Sequence, residues 1–321
     1  MDKFYKKKPP HTHGLLYIVI FLLLLCSLCA VSISFYRNHR KWKSKKLSNN
    51  ESIITLSYLK QIGDIREFPT AVGVARELQK AETIFLKEIV KVFEKHGIRY
   101  WLDGGTLLGS IRHGGFIPWD DDIDIGVMRE DYDKLQEIFG EAFSSDSNFY
   151  FIQGLFGKVK YKGTKLFIDI FPFDVYPKYI HDTKDREVLR EKIKDYSNSF
   201  KLIHSPEIDW KIIGNKSPQE VIHMRNKLLE ANPSEKKLLL LCPESARRWP
   251  YIFDYDWVFP LKTATFEGLT FKIPNCPEVY LFEEYEDWMQ YPKEIHDHKI
   301  TKKMRSVEYA NMLKFIEKYG E

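Results

Sequence analysis

The chain has 321 residues, 44% of them hydrophobic and 29% charged, with a formal net charge of +4. That length holds one large or two modest globular domains. The first 46 residues carry ten Lys or Arg against one acid, so the rest of the chain is mildly acidic and has no basic stripe; this pattern argues against nucleic-acid binding.

In chain order, residues 1–13 form a short basic tail. Residues 14–35 are 22 uncharged residues, enough to cross a bilayer as a single helix. The run exceeds the roughly 7–15 apolar residues of a cleaved leader, so it reads as an anchor. Its basic flanks can meet anionic head groups. They are six positions after the span against four before it, and that difference does not fix the orientation. Residues 36–68 are polar and aperiodic and read as a stem; 69–321 are the folded domain. Val74, Leu78, Ala81, Phe85 and Ile89 recur at helical spacing within 71–96, and Gly97 supplies the stop.

A strand is expected at 98–102, ending at Asp103-Gly104-Gly105, followed by a short helix over 106–112 with Thr106 near its start. Gly114 and Gly115 make a turn. Residues 119–125 then read Trp-Asp-Asp-Asp-Ile-Asp-Ile. On a strand, positions two apart share a face, so Asp122 and Asp124 point one way while Ile123 and Ile125 point into a core; Asp120 has the same parity. A helix follows over 130–143, then strands at 149–153, 158–161 and 166–171. The last of these carries Asp169 between apolar neighbours. Residues 180–247 are charged and helix-prone. Beyond Trp249 the pattern predicts strands at 257–261, 263–266 and 269–273. Cys242 and Cys276 are either one disulfide or two thiols, and no cysteine–histidine spacing resembles a zinc site. Asn50-Glu51-Ser52 is a glycosylation sequon, and Asn215-Lys216-Ser217 is a second one, weakened by Pro218.

Four carboxylates within five positions repel one another, and a hard divalent cation is the usual remedy. Asp122, Asp124 and Asp169 are therefore candidate catalytic acids and ligands for Mg2+ (or Mn2+), with Asp120 as a further metal ligand. Gly104, Gly105 and Thr106 would let backbone N–H groups and a helix dipole approach a phosphate. Arg112 is either a phosphate partner through its planar fork or a surface residue at a helix end. Lys158 and Lys160 are either donor contacts or a solvated strand face. Asp103 reads as an acid that stabilises the turn, His113 as a surface residue, and Trp101 and Trp119 as packing residues.

The stretch 101–134, WLDGGTLLGSIRHGGFIPWDDDIDIGVMREDYDK, resembles the LicD family, the group of the fukutins and bacterial phosphocholine transferases. The resemblance continues at 166–174, LFIDIFPFD, and at 257–291. It implies an α+β fold, a nucleotidyltransferase-like mixed sheet flanked by helices, with core 98–175 and distal segment 249–292. It also implies metal-dependent transfer of a phospho-alcohol from a CDP-linked donor to a glycan acceptor hydroxyl. With the anchor and the sequons, it implies a type II single-pass protein with a luminal domain in the Golgi or ER. A cysteine-based zinc element found in part of the family has no counterpart here. Two other readings remain at this stage: a catalytically silent binding protein on a membrane anchor, and a nucleotidyltransferase that uses an NTP. The sequence does not fix the alcohol, the acceptor or the oligomeric state.

Overall fold

A computed structural model describes residues 64–200, 202–203, 211–212, 216–244, 250–292 and 300–320. The basic tail, the span at 14–35, stem residues 36–63 and both sequon asparagines lie outside the described residues. Among the described residues, no helix is long and apolar enough to cross a membrane.

The described part of the stem is already folded: a 3-10 turn over Ile65–Glu67 buries Ile65, and Phe68 meets Trp119 edge to face. Helix α1, Val74–His96, follows the predicted period from Leu78 on and buries Leu78, Ala81, Phe85, Ile89 and Phe93, whereas Val74 in its first turn is exposed. Gly97 closes it in the left-handed conformation at φ 67°, which a glycine adopts without Cβ strain. Strand β1 is Tyr100–Leu102, and helix α2 is Gly104–His113. Strand β2, Asp124–Met128, runs into helices α3, Arg129–Tyr132, and α4, Leu135–Ala142. The single helix expected over 130–143 is thus broken at Asp133-Lys134. Strands β3, Phe149–Ile152, β4, Gly157–Tyr161, and β5, Phe167–Tyr176, come next.

The middle region holds α5, Thr183–Asn198, a two-residue pair β6, Leu202–Ile203, and β7, Lys211–Ile212, then α6, Pro218–Leu228. It also holds β8, Leu238–Leu241, a buried apolar strand within a stretch read as helix-prone. Strand β9, Ile252–Asp254, leads into helix α7, Tyr255–Val258. This corrects the strand expected at 257–261. Aromatic β-propensity loses to tertiary bonding, because the Trp257 and Val258 carbonyls accept the N–H groups of Cys276 and Asn275. The hairpin β10, Lys262–Phe266, with β11, Leu269–Ile273, falls where the pattern put it. Helices α8, Pro277–Tyr285, α9, Ile300–Lys303, and α10, Ser306–Tyr319, complete the domain.

The result is a mixed α+β architecture with a central mixed sheet, as the resemblance implies. Five strands run in the order β1-β2-β5-β4-β3, with β8 joined to β5 and β9 to β8. Among the described strands, β2 and β5 alone pair in parallel, with Asp124 opposite Asp169 and Ile125 opposite Ile170. At the far end of this pair, Arg129 bridges Asp174 at 2.7 Å and Glu244 at 2.8 Å, which ties the middle region to the sheet.

Gly126 sits directly opposite Trp101 in the β1–β2 ladder, and the indole lies over it. A Cβ at Gly126 would stand 2.4 Å from the Trp101 ring, which is fully buried. Overpacking of this kind typically costs about 1–3 kcal/mol. Gly126→Ala is therefore expected to lower the urea midpoint without changing the slope of the transition, and an unchanged midpoint would show that Trp101 has room to move.

Candidate functional site

The register of β5 builds the site. Asp169 lies next to Asp124 on its parallel side and next to Lys158 of β4 on its antiparallel side. One row across three strands therefore reads Asp124, Asp169, Lys158, on one face of the sheet. Asp122 joins from the approach to β2. Strand geometry begins only at Asp124, yet the ladder already continues upstream, where the Asp169 N–H donates to the Ile123 carbonyl at 2.9 Å. Ile123 and Ile125 are fully buried, so the predicted alternation holds. Asp122, Asp124 and Asp169 each offer an oxygen, all within 4.8 Å of one another. Asp120 lies in a neighbouring group with Asp121 and Asp122, under the same limit.

Helix α2 starts at Gly104, with Asp103 as its N-cap residue, two positions before the expected start at Thr106. Gly104 has φ +50°, and a Cβ there would come within 3.1 Å of the Asp124 Oδ2. A Cβ at Gly105 would come within 2.7 Å of the Asp120 Oδ2. The two glycines thus let carboxylates approach the positive end of the helix. Thr106 is buried and its hydroxyl accepts the Asp124 N–H at 2.8 Å, so it fixes the start of β2 and does not point at the cavity.

A cavity of about 840 Å3 opens over this face. Gly105, Asp120, Asp122, Asp124, Arg112, Trp119, Tyr285, Trp288 and Tyr291 are among its lining residues. Arg112 is buried and donates to the Trp288 carbonyl at 2.6 Å, which rules out the surface-residue reading. Burial pushes its guanidinium down to about 10. His113 is half-buried, not a surface residue; burial and the neighbouring Arg112 push it down to about 4. Burial, then the charges of Asp122, Asp169, Asp120 and Asp103, hold the Asp124 carboxyl well above the usual carboxylate range. A cation beside these carboxylates would offset their mutual repulsion and favour the charged form of Asp124.

Lys158 corrects the solvated-face reading. It is buried, bridges Asp169 Oδ1 at 2.9 Å, and places its ammonium 3.9 Å from the centroid of the Phe167 ring. Lys160, two positions on, is half-buried. Trp101 is a buried packing residue whose indole N–H also donates to the Tyr280 hydroxyl at 3.4 Å, whereas Trp119 both packs on Phe68 and lines the cavity. Cys242 and Cys276 are two free thiols.

Asp103 is buried behind α2 and accepts a hydrogen bond from the Tyr280 hydroxyl. Burial pushes its carboxyl up to about 6. The native state therefore binds a proton that the unfolded chain has already lost, and this group's contribution to stability falls as pH rises from about 4 to about 6. Asp103→Asn is expected to flatten the stability profile across that window, as read by urea denaturation at each pH. An unchanged slope would place the titration on another group.

Glu82 of α1 and the aromatics of the distal segment were not among the sequence candidates. Glu82 follows Leu78 and precedes Phe85 and Ile89 on the apolar face of the helix, so its period marks it as a buried acid. The resemblance at 257–291 covers Tyr285, Trp288 and Tyr291; the end of α8 and the residues after it bring them to the cavity.

An acid-lined cavity thus opens beside the parallel β2–β5 pair, next to the N-terminal end of α2. Residues 97–204 match the family model described as LicD/FKTN/FKRP, nucleotidyltransferase domain. The lipopolysaccharide cholinephosphotransferase LicD of Haemophilus influenzae is 32% identical over 233 residues, covering 63% of this chain and 86% of the relative. The ribitol 5-phosphate transferase FKRP of Homo sapiens is 39% identical over 104 residues, 30% of this chain; the match spans 21% of that relative's length. The human ribitol-5-phosphate transferase FKTN is 35% identical over 54 residues, 17% of this chain and 12% of the relative. The chain belongs to the LicD family.

Proposed function

We propose that this protein transfers a phospho-alcohol, such as ribitol, glycerol or choline phosphate, from a CDP-linked donor to a glycan hydroxyl. The observation that carries the reading is the β2–β5 register, which sets Asp124 against Asp169 with Asp122 beside them, Asp122 and Asp124 lining the cavity. Relatives named as ribitol-phosphate and choline-phosphate transferases support the reaction class.

The donor set is all oxygen, which suits Mg2+ or Mn2+. Asp122, Asp124 and Asp169 would hold the ion, with Asp120 beside them. Bound there, the ion would offset negative charge on the donor's phosphate oxygens. The remaining work falls to the chain. The first N–H groups of α2, at Gly104 and Gly105, supply the positive end of a helix dipole. Arg112 offers a buried guanidinium at the same cavity for a phosphate oxygen. The Lys158 ammonium holds the Asp169 carboxylate in a fixed orientation. The acceptor oxygen forms a new bond to the distal phosphorus, the bond to the bridging oxygen breaks, and CMP leaves with the electron pair. Asp169 would ligate the ion or take the acceptor proton. Position and charge supply most of the rate.

The anchor at 14–35 would tether the domain to a Golgi or ER membrane, facing the lumen. A screen of CDP-ribitol, CDP-glycerol and CDP-choline with Mg2+ and glycan acceptors tests the reaction. CMP release with one donor is the expected outcome. Pyrophosphate release from an NTP, or binding of every donor without turnover, would replace it with one of the two other readings.

A further inference from the structure

Helix α8 is fastened to the start of α2. The Tyr280 hydroxyl donates to Asp103, the N-cap residue of α2. The Tyr251 hydroxyl donates to the Glu284 carbonyl at 3.1 Å, and Arg112 donates to the Trp288 carbonyl at 2.6 Å. Bonds on both sides of Tyr285 therefore set where that residue stands. Its own hydroxyl differs from that of Tyr280: it has no hydrogen-bond partner among the described residues.

Gly104 shows where this hydroxyl lies. A Cβ there would stand 3.1 Å from the Asp124 Oδ2 and 3.7 Å from the Tyr285 hydroxyl oxygen. The phenol thus reaches the first residue of α2, on the side that Asp124 also occupies. Tyr285, Gly105, Arg112 and Asp124 line the same cavity. Tyr285 is 41% exposed, so it is open to a ligand and not packed into the core. A phenol ionises only near about pH 10, so at neutral pH it is an O–H donor. Ionised carboxylates only accept. A phosphate held among them draws its hydrogen bonds from the N–H groups that open α2, from Arg112 and from this phenol.

The geometry points to Tyr285 as a substrate-binding residue, whose hydroxyl donates a hydrogen bond to a phosphate oxygen of the donor's diphosphate at the Gly104 end of the cavity. The inference rests on the phosphate subsite of the proposed reaction, and it brings into that subsite a group from the distal segment.

Calorimetry on the full chain with Mg2+ tests it, with CDP, inorganic pyrophosphate and cytidine as probes. Tyr285→Phe keeps the ring and removes only the hydroxyl. It is expected to weaken CDP and pyrophosphate about 10- to 100-fold, the usual worth of a hydrogen bond to a charged group. Cytidine binding and the melting temperature are expected to stay as in wild type, because the hydroxyl bonds neither the nucleoside nor the protein. Unchanged affinity for both phosphates overturns the contact. Weakening of CDP and cytidine alike, with pyrophosphate unaffected, moves the phenol to the nucleoside and overturns it too. So does a lower melting temperature alongside weaker binding, which would make the hydroxyl structural. Pyrophosphate carries neither nucleoside nor alcohol. A wild-type chain that binds pyrophosphate and not CDP therefore refutes the CDP-linked donor, while the Tyr285 contact is still read on pyrophosphate. Wild-type binding of neither phosphate overturns the subsite and the contact together.

Discussion

Asp124→Asn is expected to lower turnover by about three orders of magnitude and to raise the melting temperature of the ion-free protein. Both effects come from one cause. In the ion-free state, burial and four neighbouring carboxylates oppose the charge on Asp124. An amide of the same shape removes that repulsion, and relief of about 1 kcal/mol raises the melting temperature by roughly 2–4 °C in a domain of this size. On the proposed function, an ion bound there would also lose a charged ligand beside the donor's phosphate. Removing a single group that stabilises transition-state charge commonly costs about 100- to 1,000-fold, and a charged ligand belongs at the upper end. Three orders of magnitude correspond to about 4 kcal/mol. Steady-state kinetics and calorimetric melts on the same preparation check the pair. Loss of activity with a lower melting temperature would indicate simple misfolding; wild-type turnover would remove Asp124 from the chemistry.

Lys158→Met is expected to be the most destabilising single change at the site. Lys158 and Asp169 are both buried, face each other across the β4–β5 ladder and form an ion pair at 2.9 Å. Breaking a buried pair by removing one partner costs about 3–5 kcal/mol, because it leaves the other charge uncompensated. In this domain that is on the order of 10 °C. The double variant Lys158→Met with Asp169→Asn should recover most of the loss, since no charge is then stranded. Mg2+ should also restore part of the stability of the single variant, because an ion that binds only the folded state stabilises it by mass action. Thermal melts of the four proteins, with and without Mg2+, read all of this. Additive losses in the double variant would show that the pair is incidental.

Much of the site is legible in the sequence, and the reason is local. The Asp122–Asp124 spacing with Ile123 and Ile125 between them is a strand pattern, and a strand pattern states which side chains share a face. Residues 101–134 add the helix that meets those acids, because Gly104, Gly105 and the strand end lie next to one another in the chain. The offset of the α2 start and the role of Thr106 are of a different kind. Thr106 is a good helix-start residue, but its hydroxyl is taken by the Asp124 N–H, a contact across 18 positions. Lys158 shows the same limit. Nothing in Gly-Lys-Val-Lys-Tyr states which strand it pairs with, and the choice of β5 with Lys158 against Asp169 turns a solvated lysine into a buried counter-charge. Glu82 was legible in principle, since its helical period puts an acid on an apolar face; what it faces depends on how α1 packs. The helix at Tyr255–Val258 was not legible, because the bonds that favour it come from Asn275 and Cys276 in a later loop.

Anomalous scattering from crystals soaked in Mn2+ tests the central claim most directly. The account predicts a peak at roughly 2.0–2.2 Å from an oxygen of each of Asp122, Asp124 and Asp169, the distance small divalent ions keep from carboxylates. Saturating Mn2+ with no peak among these three side chains, or peaks confined to other surfaces of the domain, would contradict it.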